Sequence, residues 1–472
     1  MIYEVLILIL PFVTSPYIAR VLGAEKVGIY SYTYSIAYYF YLFSLLGIKN
    51  YGNRAIAQAR DDQDELNTRF SNIFAVHLLV SLICLALYIG YILLIADEYS
   101  MYSLLQTPYV ISALLDISWF FFGIEKFKLT VTRNTIIRLI TVACTFIFVR
   151  TADDLWKYCF VLAMGQLISQ ATLWFFIRKE VRFVRPKWQE MKKHIKPLLV
   201  LFIPAIAVSL YKYMDKIMLG SMSSKTQLGF YENAEKAITI PTTIIGSFGT
   251  VMLPKMSNLT AAGKKEEAGH YIRLSMKYVM CLAFALTFGL ASVANNFAPL
   301  FWGKEFTYSG SLIMGLSVTI PFIAFANIIR TQYLIPREHD KEYIISVSVG
   351  AVVNLIINAI LITDMGAMGA TIGTIAAEVT VCLIQAFVVR KELPMLKYIK
   401  SAMPFLFFGL TMFAGVITIG MIMELRWLGL MLQILVGVVI YCVFCGIYFI
   451  VTKDSVVTAC MQRITRRLDI KK

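Results

Sequence analysis

The sequence predicts an all-α integral membrane protein with about 14 transmembrane helices. The chain has 472 residues, of which 58% are hydrophobic and only 15% are charged, and its mean hydropathy is +0.70. A soluble protein of this length would carry nearer a quarter charged residues. The apolar residues form stretches of about twenty, the length at which a helix crosses roughly 30 Å of hydrocarbon. The chain is therefore expected to fold in lipid.

Short connections separate the predicted spans, and none could fold a catalytic domain. The spans lie near residues 2–20, 28–48, 71–95, 104–124, 135–149, 156–177, 197–219, 232–253, 274–294, 309–335, 343–363, 367–389, 401–423 and 427–451. The basic segment after the sixth span is the sharpest change in composition. We therefore predict a six-helix lobe at 1–180, a cytoplasmic linker at 181–196, a second six-helix lobe at 197–392, two extra helices at 393–452 and a basic cytoplasmic tail at 453–472.

The distribution of Lys and Arg predicts the orientation of the chain. It has 44 Lys and Arg against 29 Asp and Glu, a formal net charge of +15. With the N-terminus inside, about 34 of the cations fall in inner segments and about 10 in outer ones, the bias typical of cytoplasmic loops. Both termini are therefore expected in the cytoplasm. The positive charge of the inner segments indicates anionic membrane lipid as a partner. We do not expect nucleic acid as a partner.

The two predicted lobes share an ordered set of motifs. Leu-Gly at 22–23 is followed by Gly-x-Tyr at 28–30, and the same two motifs recur at 219–220 and 229–231. Each lobe has an even number of spans, so equivalent helices point the same way. We therefore predict an internal duplication in which a pseudo-two-fold axis along the membrane normal relates the lobes.

Charged and amide side chains within the spans are the candidate functional residues, because such groups are costly in hydrocarbon without water or a partner. Asp116 and Glu378 fall near the midplane and are the candidates for coupling transport to an ion. The candidates for a substrate cavity lie nearer the span ends and are Arg20, Lys212, Asp215, Lys216, Glu232, Lys236 and Arg330. The amides at or somewhat beyond the midplane are Gln166, Gln170, Asn354 and Asn358.

A structural role is the alternative for each of these residues. Lys212 and Asp215 are three apart on one helix and could form a local ion pair. The other cations in the spans could extend to the interface and are Arg20, Arg138, Lys216 and Arg330. The two midplane acids lie too deep for this, but they could be protonated or hydrogen-bonded to Asn or Gln neighbours.

No motif of an enzyme or a metal site occurs in the sequence. There is no G-x-x-x-x-G-K-[ST] loop for ATP, and the four histidines are scattered. The eight cysteines form no spaced framework in an outer loop. We therefore expect a protein that is not an enzyme, with no catalytic residue, metal or cofactor. Whether H⁺ or Na⁺ couples to transport stays open.

The opening of the chain resembles a known family. The run PFVTSPYIARVLGAEKVGIYSYTYSIAYYFYLFSLLGIKNYGNRAIA at 11–57 is similar to the start of bacterial polysaccharide-unit flippases, the Wzx-type members of the multidrug/oligosaccharidyl-lipid/polysaccharide exporter superfamily. Further similar segments are DISWFFFGIEKFKLTVTRN (116–134), YKYMDKIMLG (211–220), GFYENAEKA (229–237), VMLPKMSNL (251–259) and QYLIPREHDKE (332–342). The resemblance covers spans 1 to 12.

The resemblance implies a two-lobed fold in the bacterial cytoplasmic membrane that moves undecaprenyl-pyrophosphate-linked oligosaccharides from the inner to the outer leaflet. Capsule, exopolysaccharide or O-antigen assembly would use such units, with a polysaccharide polymerase and other assembly proteins as expected partners. The cavity cations would then offset the pyrophosphate charge. Two alternatives remain: a multidrug or other small-cation exporter of the same superfamily, and a polytopic polysaccharide polymerase.

Overall fold

A computed structural model describes residues 2–423 and 425–454 of the chain, and it describes side chains there except at 2–9, 97, 204, 207, 208, 211 and 212. Every regular element in these ranges is helical, and no strand occurs in them. The predicted all-α class is confirmed. All but the first two residues of the tail predicted at 453–472 lie outside the described residues.

The first half of the described chain consists of long helices interrupted by short ones. They are α1 (Ile2–Leu45), α2 (Ile48–Ala59), α3 (Gln63–Leu94), α4 (Ser100–Leu105), α5 (Thr107–Leu114), α6 (Ser118–Gly123), α7 (Phe127–Phe148), α8 (Leu155–Ala171), α9 (Trp174–Ile177) and α10 (Trp188–Met222). Helix α10 begins within the linker predicted at 181–196, so the second part of that linker is helical.

The second half continues in the same way. Its helices are α11 (Lys225–Ala261), α12 (Lys265–Trp302), α13 (Thr307–Ser317), α14 (Thr319–Ile329), α15 (Asp340–Met365), α16 (Ala367–Val389), α17 (Met395–Ile422) and α18 (Trp427–Val451). Eleven segments of the described chain are long and apolar enough to cross a membrane. The two arms of α1 and helix α10 bring the number of spans to the fourteen predicted.

The first two predicted spans form a single bent helix, α1. Gly23 has φ 77° and ψ 171° inside it, a backbone conformation that residues with a Cβ rarely adopt. The sequence therefore predicted a loop at 21–27 where the chain only kinks. The kink lets the two arms cross the membrane in opposite directions with almost no connection between them.

The fourth span is broken next to a buried acid. Helix α5 ends at Leu114 and α6 begins at Ser118. Between them, the Asp116 carboxylate accepts the backbone N–H of Ser118 at 3.0 Å, one of the donors that a helix start leaves without a partner. The break thus holds Asp116 in a defined position within the membrane.

An aromatic core fixes this break against the neighbouring helices. Trp119 of α6 is fully buried and stacks on Phe70 of α3, with ring centroids 5.5 Å apart. On its other side Gly52 of α2 leaves no room for a Cβ beside the indole ring. Packing of aromatic rings, each burying a large apolar area, therefore positions the polar groups on α5 and α6.

The chain divides into two compact units. One comprises Met1–Lys236 and Gly350–Gly373, and the other comprises Ala237–Val349 and Thr374–Lys472. In the second unit, α17 and α18 pack on α12 around Phe405, Met412 and Tyr441. The first unit holds α1 to α10 together with parts of α11, α15 and α16. The lobe boundaries proposed from the sequence stay a prediction.

Candidate functional site

Two glycines bring α1 and α11 into backbone contact. A Cβ on Gly28 would overlap the carbonyl oxygen of Lys225, and a Cβ on Gly229 would overlap the carbonyl oxygen of Ala24. Gly28 and Gly229 are the glycines of the two Gly-x-Tyr motifs, so they are equivalent in the duplication. Ala24 and Lys225 are equivalent too, because each precedes its glycine by four residues. The contact is therefore reciprocal, as expected where two copies of a duplicated motif meet across an axis. We call it the glycine seam.

Buried ion pairs lie beside the glycine seam. Lys216 Nζ of α10 is 2.7 Å from Glu232 and 2.7 Å from Glu235, both on α11. Lys236 also approaches Glu232, at 3.3 Å. The side chains of Lys216 and Glu232 are only 12% and 14% exposed, so Lys216 does not extend to the interface. The favourable pairing offsets the cost of burying the charges.

A hydrogen bond joins this network to α1. Ser31 Oγ, three residues after Gly28, donates to the Glu232 carboxylate at 2.7 Å. Glu232 thus accepts from α1 and pairs with cations of α10 and α11. The structure therefore brings together three of the predicted cavity residues (Lys216, Glu232 and Lys236) in a network that holds the seam closed.

Asp215 belongs to a separate polar cluster, although it is adjacent to Lys216 in the sequence. It is 3% exposed, and its carboxylate accepts from Tyr231 Oη at 3.1 Å and from Asn358 Nδ2 at 2.6 Å. Asn358 in turn donates to Asn354, one turn earlier on α15, at 3.2 Å. Two amides four residues apart in an apolar helix were the sequence signal for this cluster, but their carboxylate partner was not foreseen.

The predicted coupling residue Asp116 is fully buried, and its neighbours differ from those expected. It accepts from Tyr41 Oη at 3.1 Å and from Ser118 Oγ at 2.5 Å, and Lys49 Nζ lies 3.8 Å away. The sequence had suggested Asn or Gln partners. The donors are hydroxyls instead, because the break between α5 and α6 directs the carboxylate towards α1 and α2.

A cavity of about 480 Å³ opens beside Asp116, entirely within the first unit. Helices α1, α2, α5, α6, α7 and α8 contribute its lining. The charged side chains lining it are Lys49, Asp116, Arg133 and Arg138. Its aromatic wall includes Tyr34, Tyr41, Tyr109 and Trp119, and its amides include Asn134, Gln166 and Gln170. We call it the N-terminal cavity.

Arg133 is the most buried cation of the N-terminal cavity, at 8% exposure. Its guanidinium donates to the carbonyl oxygen of Ser169 and to Asn134 Oδ1, which ties α7 to α8. Arg133 and Lys49 were not predicted as site residues from the sequence, because both lie near the ends of predicted spans, where cations are common. Only the fold shows that they line the same cavity as Asp116.

The remaining predicted residues are elsewhere. Arg20 of α1 is exposed, and the Lys212 side chain lies outside the described residues. Arg330 begins a π-helical turn in the second unit, with its guanidinium 5.5 Å from the centre of the Tyr343 ring. Glu378 is half-buried in the part of α16 that belongs to that unit. Their assignment to a cavity or to coupling stays a prediction.

The residues described contain no group of three or more His, Cys, Asp or Glu side chains that could hold a metal ion. Polar cavities and buried ion pairs inside a bundle of fourteen apolar helices are features of membrane transporters. The fold agrees with this class.

The fold is similar to those of solved membrane transport proteins. It matches the lipid II flippase MurJ in an inward closed conformation with a TM-score of 0.80 at 16% identity, over 95% of this chain and 98% of MurJ. It matches an inward-facing MATE family multidrug transporter of the MOP superfamily with a TM-score of 0.59 at 14% identity, over 83% of this chain and 99% of that one.

The sequence identifies the family more closely. Residues 1–260 match the family model described as polysaccharide biosynthesis protein, and the chain belongs to that family. It is also 26% identical over 388 residues to a Shigella dysenteriae protein named "Putative O-antigen transporter", covering 80% of this chain and 96% of that protein. The resemblance predicted from the opening motifs is confirmed.

Proposed function

We propose that this protein is a flippase that moves a lipid-linked oligosaccharide from the inner to the outer leaflet of the bacterial cytoplasmic membrane by alternating access. The family and the named transporter support a role in polysaccharide or O-antigen assembly. Undecaprenyl pyrophosphate is the proposed lipid carrier. The head group of such a substrate cannot cross hydrocarbon, whereas its lipid tail can stay in the bilayer. The transporter therefore needs a polar route that opens to one side at a time.

The glycine seam is the observation that carries this proposal. In the predicted topology it lies at the outer ends of its helices, since the connection between the first two spans faces outward. Backbone contact there, together with the hydrogen bond from Ser31 of α1 to Glu232 of α11, closes that side. An outward-open state requires α1 and α11 to separate and these contacts to break. The seam is accordingly the proposed outer gate.

The polar contacts at the seam suit a gate that must reopen. Separating α1 from α11 breaks the hydrogen bond from Ser31 to Glu232, and water can replace that bond on both sides. An all-apolar seam would instead expose hydrocarbon surface to water. Lys216 keeps its two carboxylates, because Lys216 lies on α10 and the carboxylates lie on α11, and these pairs become exposed to water when α1 moves away.

The test is deletion of the gene in its own bacterium. Lipid-linked repeat units should accumulate with their sugars on the cytoplasmic side, and surface polysaccharide should disappear. A plasmid copy should restore both. A strain that keeps its surface polysaccharide but loses efflux of ethidium would instead identify a small-cation exporter, the alternative from the same superfamily.

A further inference from the structure

We infer that the N-terminal cavity, which lies between α1, α2, α5, α6, α7 and α8, is a binding site for a sugar linked to phosphate and is separate from the glycine seam. This inference rests on the proposed function, because it names the part of a lipid-linked oligosaccharide that the cavity would hold. The residues that carry it are Arg138, Arg133, Gln170 and the aromatic wall of the cavity.

The depth of Arg138 is the first argument. It lies near the middle of the 22-residue helix α7, roughly 16 Å from either end at about 1.5 Å per residue. The span predicted at 135–149 placed Arg138 near an end, from which it could extend to the interface, but α7 begins at Phe127, eight residues earlier. An arginine at the resulting depth reaches the interface poorly, and its exposed side chain is costly without a partner or a polar environment. Among the described residues, Arg138 has no carboxylate within ion-pair distance. A polar cavity with an anionic occupant would provide the missing counter-charge.

The balance of charge in the cavity points to an anion. Three cations line it against one carboxylate, and that carboxylate already accepts from Tyr41 and Ser118 and lies near Lys49. The two arginines therefore leave the site net positive. Guanidinium groups are well suited to phosphate because their N–H donors match pairs of phosphate oxygens.

The rest of the lining suits a sugar. Gln170 Oε1 is buried and accepts no hydrogen bond, and a buried acceptor without a donor costs free energy until one arrives. A sugar hydroxyl is such a donor. The rings of Tyr34 and Tyr109 (centroids 5.1 Å apart) line the cavity and offer apolar surface for the carbon face of a sugar.

The size of the cavity agrees with this assignment. Its volume of about 480 Å³ is within the range of roughly 300–1,000 Å³ usual for small-molecule sites. It would hold the phosphate and the first sugar or two of a repeat unit. The rest of the oligosaccharide and the lipid would extend beyond it.

Direct binding measurements with the purified full chain in lipid nanodiscs test the inference. The radiolabelled probe is geranyl-pyrophosphate-linked N-acetylglucosamine, with geranyl pyrophosphate as the sugar-free probe and UDP-N-acetylglucosamine as the soluble one. We expect Arg138→Gln to weaken binding of the linked probe on the order of tenfold. The matched control is Arg150→Gln, an exposed arginine just beyond α7 that does not line the cavity, and it should bind like the wild type.

A second variant separates sugar recognition from charge. Gln170→Leu should bind geranyl pyrophosphate normally but lose the preference for the sugar-bearing probe. Equally tight binding of UDP-N-acetylglucosamine would show that the site takes soluble sugar phosphates, whereas selective binding of the geranyl probe assigns it to the lipid-linked form. The inference is overturned if the wild type binds none of the probes, or if Arg138→Gln binds as tightly as Arg150→Gln with both proteins folded.

Transport distinguishes a failure of this inference from a failure of the proposed function. If Arg138→Gln abolishes binding of the probes but flipping continues at the wild-type rate, the cavity is not on the transport route, and the flippase assignment stands. If the wild type binds the probes and never flips a lipid-linked oligosaccharide, the proposed function fails and the binding site remains.

Discussion

Two charged residues of α10 have partners on other helices. Asp215 accepts from donors on α11 and α15, and Lys216 pairs with two carboxylates on α11. The depth of these residues in the membrane, near one end of their spans, stays a prediction from the sequence. The sequence could not predict their pairing, because helix spacing limits only contacts within a helix, and packing sets the contacts between helices.

Lys216 provides a test of the buried network. Lys216→Ala leaves Glu232 and Glu235 close together without their shared cation, and removing one partner of a buried pair costs about 3–5 kcal/mol. Partial exposure of Glu235 should reduce this cost. We expect a clear drop in the thermal unfolding temperature in detergent, measured by light scattering or intrinsic fluorescence. Lys265→Ala, at an exposed lysine, is the matched control, and an equal effect of both variants would contradict a buried pair.

His194, which lies outside the predicted spans, should make the stability of the fold depend on pH. Burial lowers its pKa, and Arg69 and Lys193 lower it further while Glu190 opposes them. Tyr51 Oη lies 2.6 Å from its Nδ1. The folded state disfavours the protonated ring, so the unfolded chain binds that proton more readily. Stability is therefore greatest above about pH 6.5 and falls as the pH drops through 6.5 towards the lower folded pKa.

The measurement is the unfolding temperature at about pH 7.5 and pH 5.5. The wild type should lose more stability on acidification than His194→Gln, which has no titrating ring at this position. An identical loss in both proteins would show that His194 does not contribute to the pH dependence.

At the scale of helices, the apolar stretches predicted the number of spans, but they did not predict where helices bend or break. The break at Asp116 and the π-helical turn at Arg330 lie inside the predicted spans 104–124 and 309–335, which are apolar enough to be continuous helices. The kink at Gly23 replaces the loop predicted at 21–27. Each depends on contacts with neighbouring helices or on a polar group that satisfies the interrupted backbone. A hydropathy pattern contains neither kind of information.

The contact between α1 and α11 at the glycine seam can be tested by adding a methyl group to either glycine. Gly28→Ala places a methyl group against the Lys225 carbonyl, and backbone there cannot move aside as a flexible side chain would. The closed seam should be lost, and export of surface polysaccharide should fall by an order of magnitude or more. Gly229→Ala should behave alike because the contact is reciprocal. Gly90→Ala is the control, since no atom lies within 4 Å of the added methyl.

The state of the gate can be read separately from transport. A cysteine at position 31 should react slowly with an impermeant maleimide in intact cells, and faster when Gly28→Ala is added. If Gly28→Ala reaches the membrane at normal levels, exports normally and leaves the labelling of position 31 unchanged, the seam is not a gate.

At the scale of the whole molecule, composition was enough to predict the class, because few architectures satisfy backbone hydrogen bonds in lipid. The repeated Leu-Gly and Gly-x-Tyr motifs indicated a duplication, and the two Gly-x-Tyr glycines meet at the seam. The N-terminal cavity was not predicted as a unit. Its charged residues, amides and aromatic rings come from six helices, and the sequence alone does not show which helices are neighbours.

The predicted orientation can be tested by labelling single cysteines in intact cells. Cysteines at 60, 188 or 265 should react only after the membrane is permeabilised, and those at 224 or 304 should react from outside. The reason is the concentration of Lys and Arg in the segments assigned to the cytoplasm. Labelling of position 188 from outside would contradict the predicted topology and would move the glycine seam to the inner side.

Movement of a lipid-linked oligosaccharide by this chain can be measured directly in liposomes. Liposomes are prepared with the purified chain and a radiolabelled undecaprenyl-pyrophosphate-linked repeat unit, and an impermeant glycosidase then removes sugar from the outer leaflet only. With the wild type or Gly90→Ala, cleavage should pass the outer-leaflet share and approach completion. With Gly28→Ala or empty liposomes it should stop at that share. If cleavage also stops at the outer-leaflet share with folded wild-type protein, the chain does not flip this substrate.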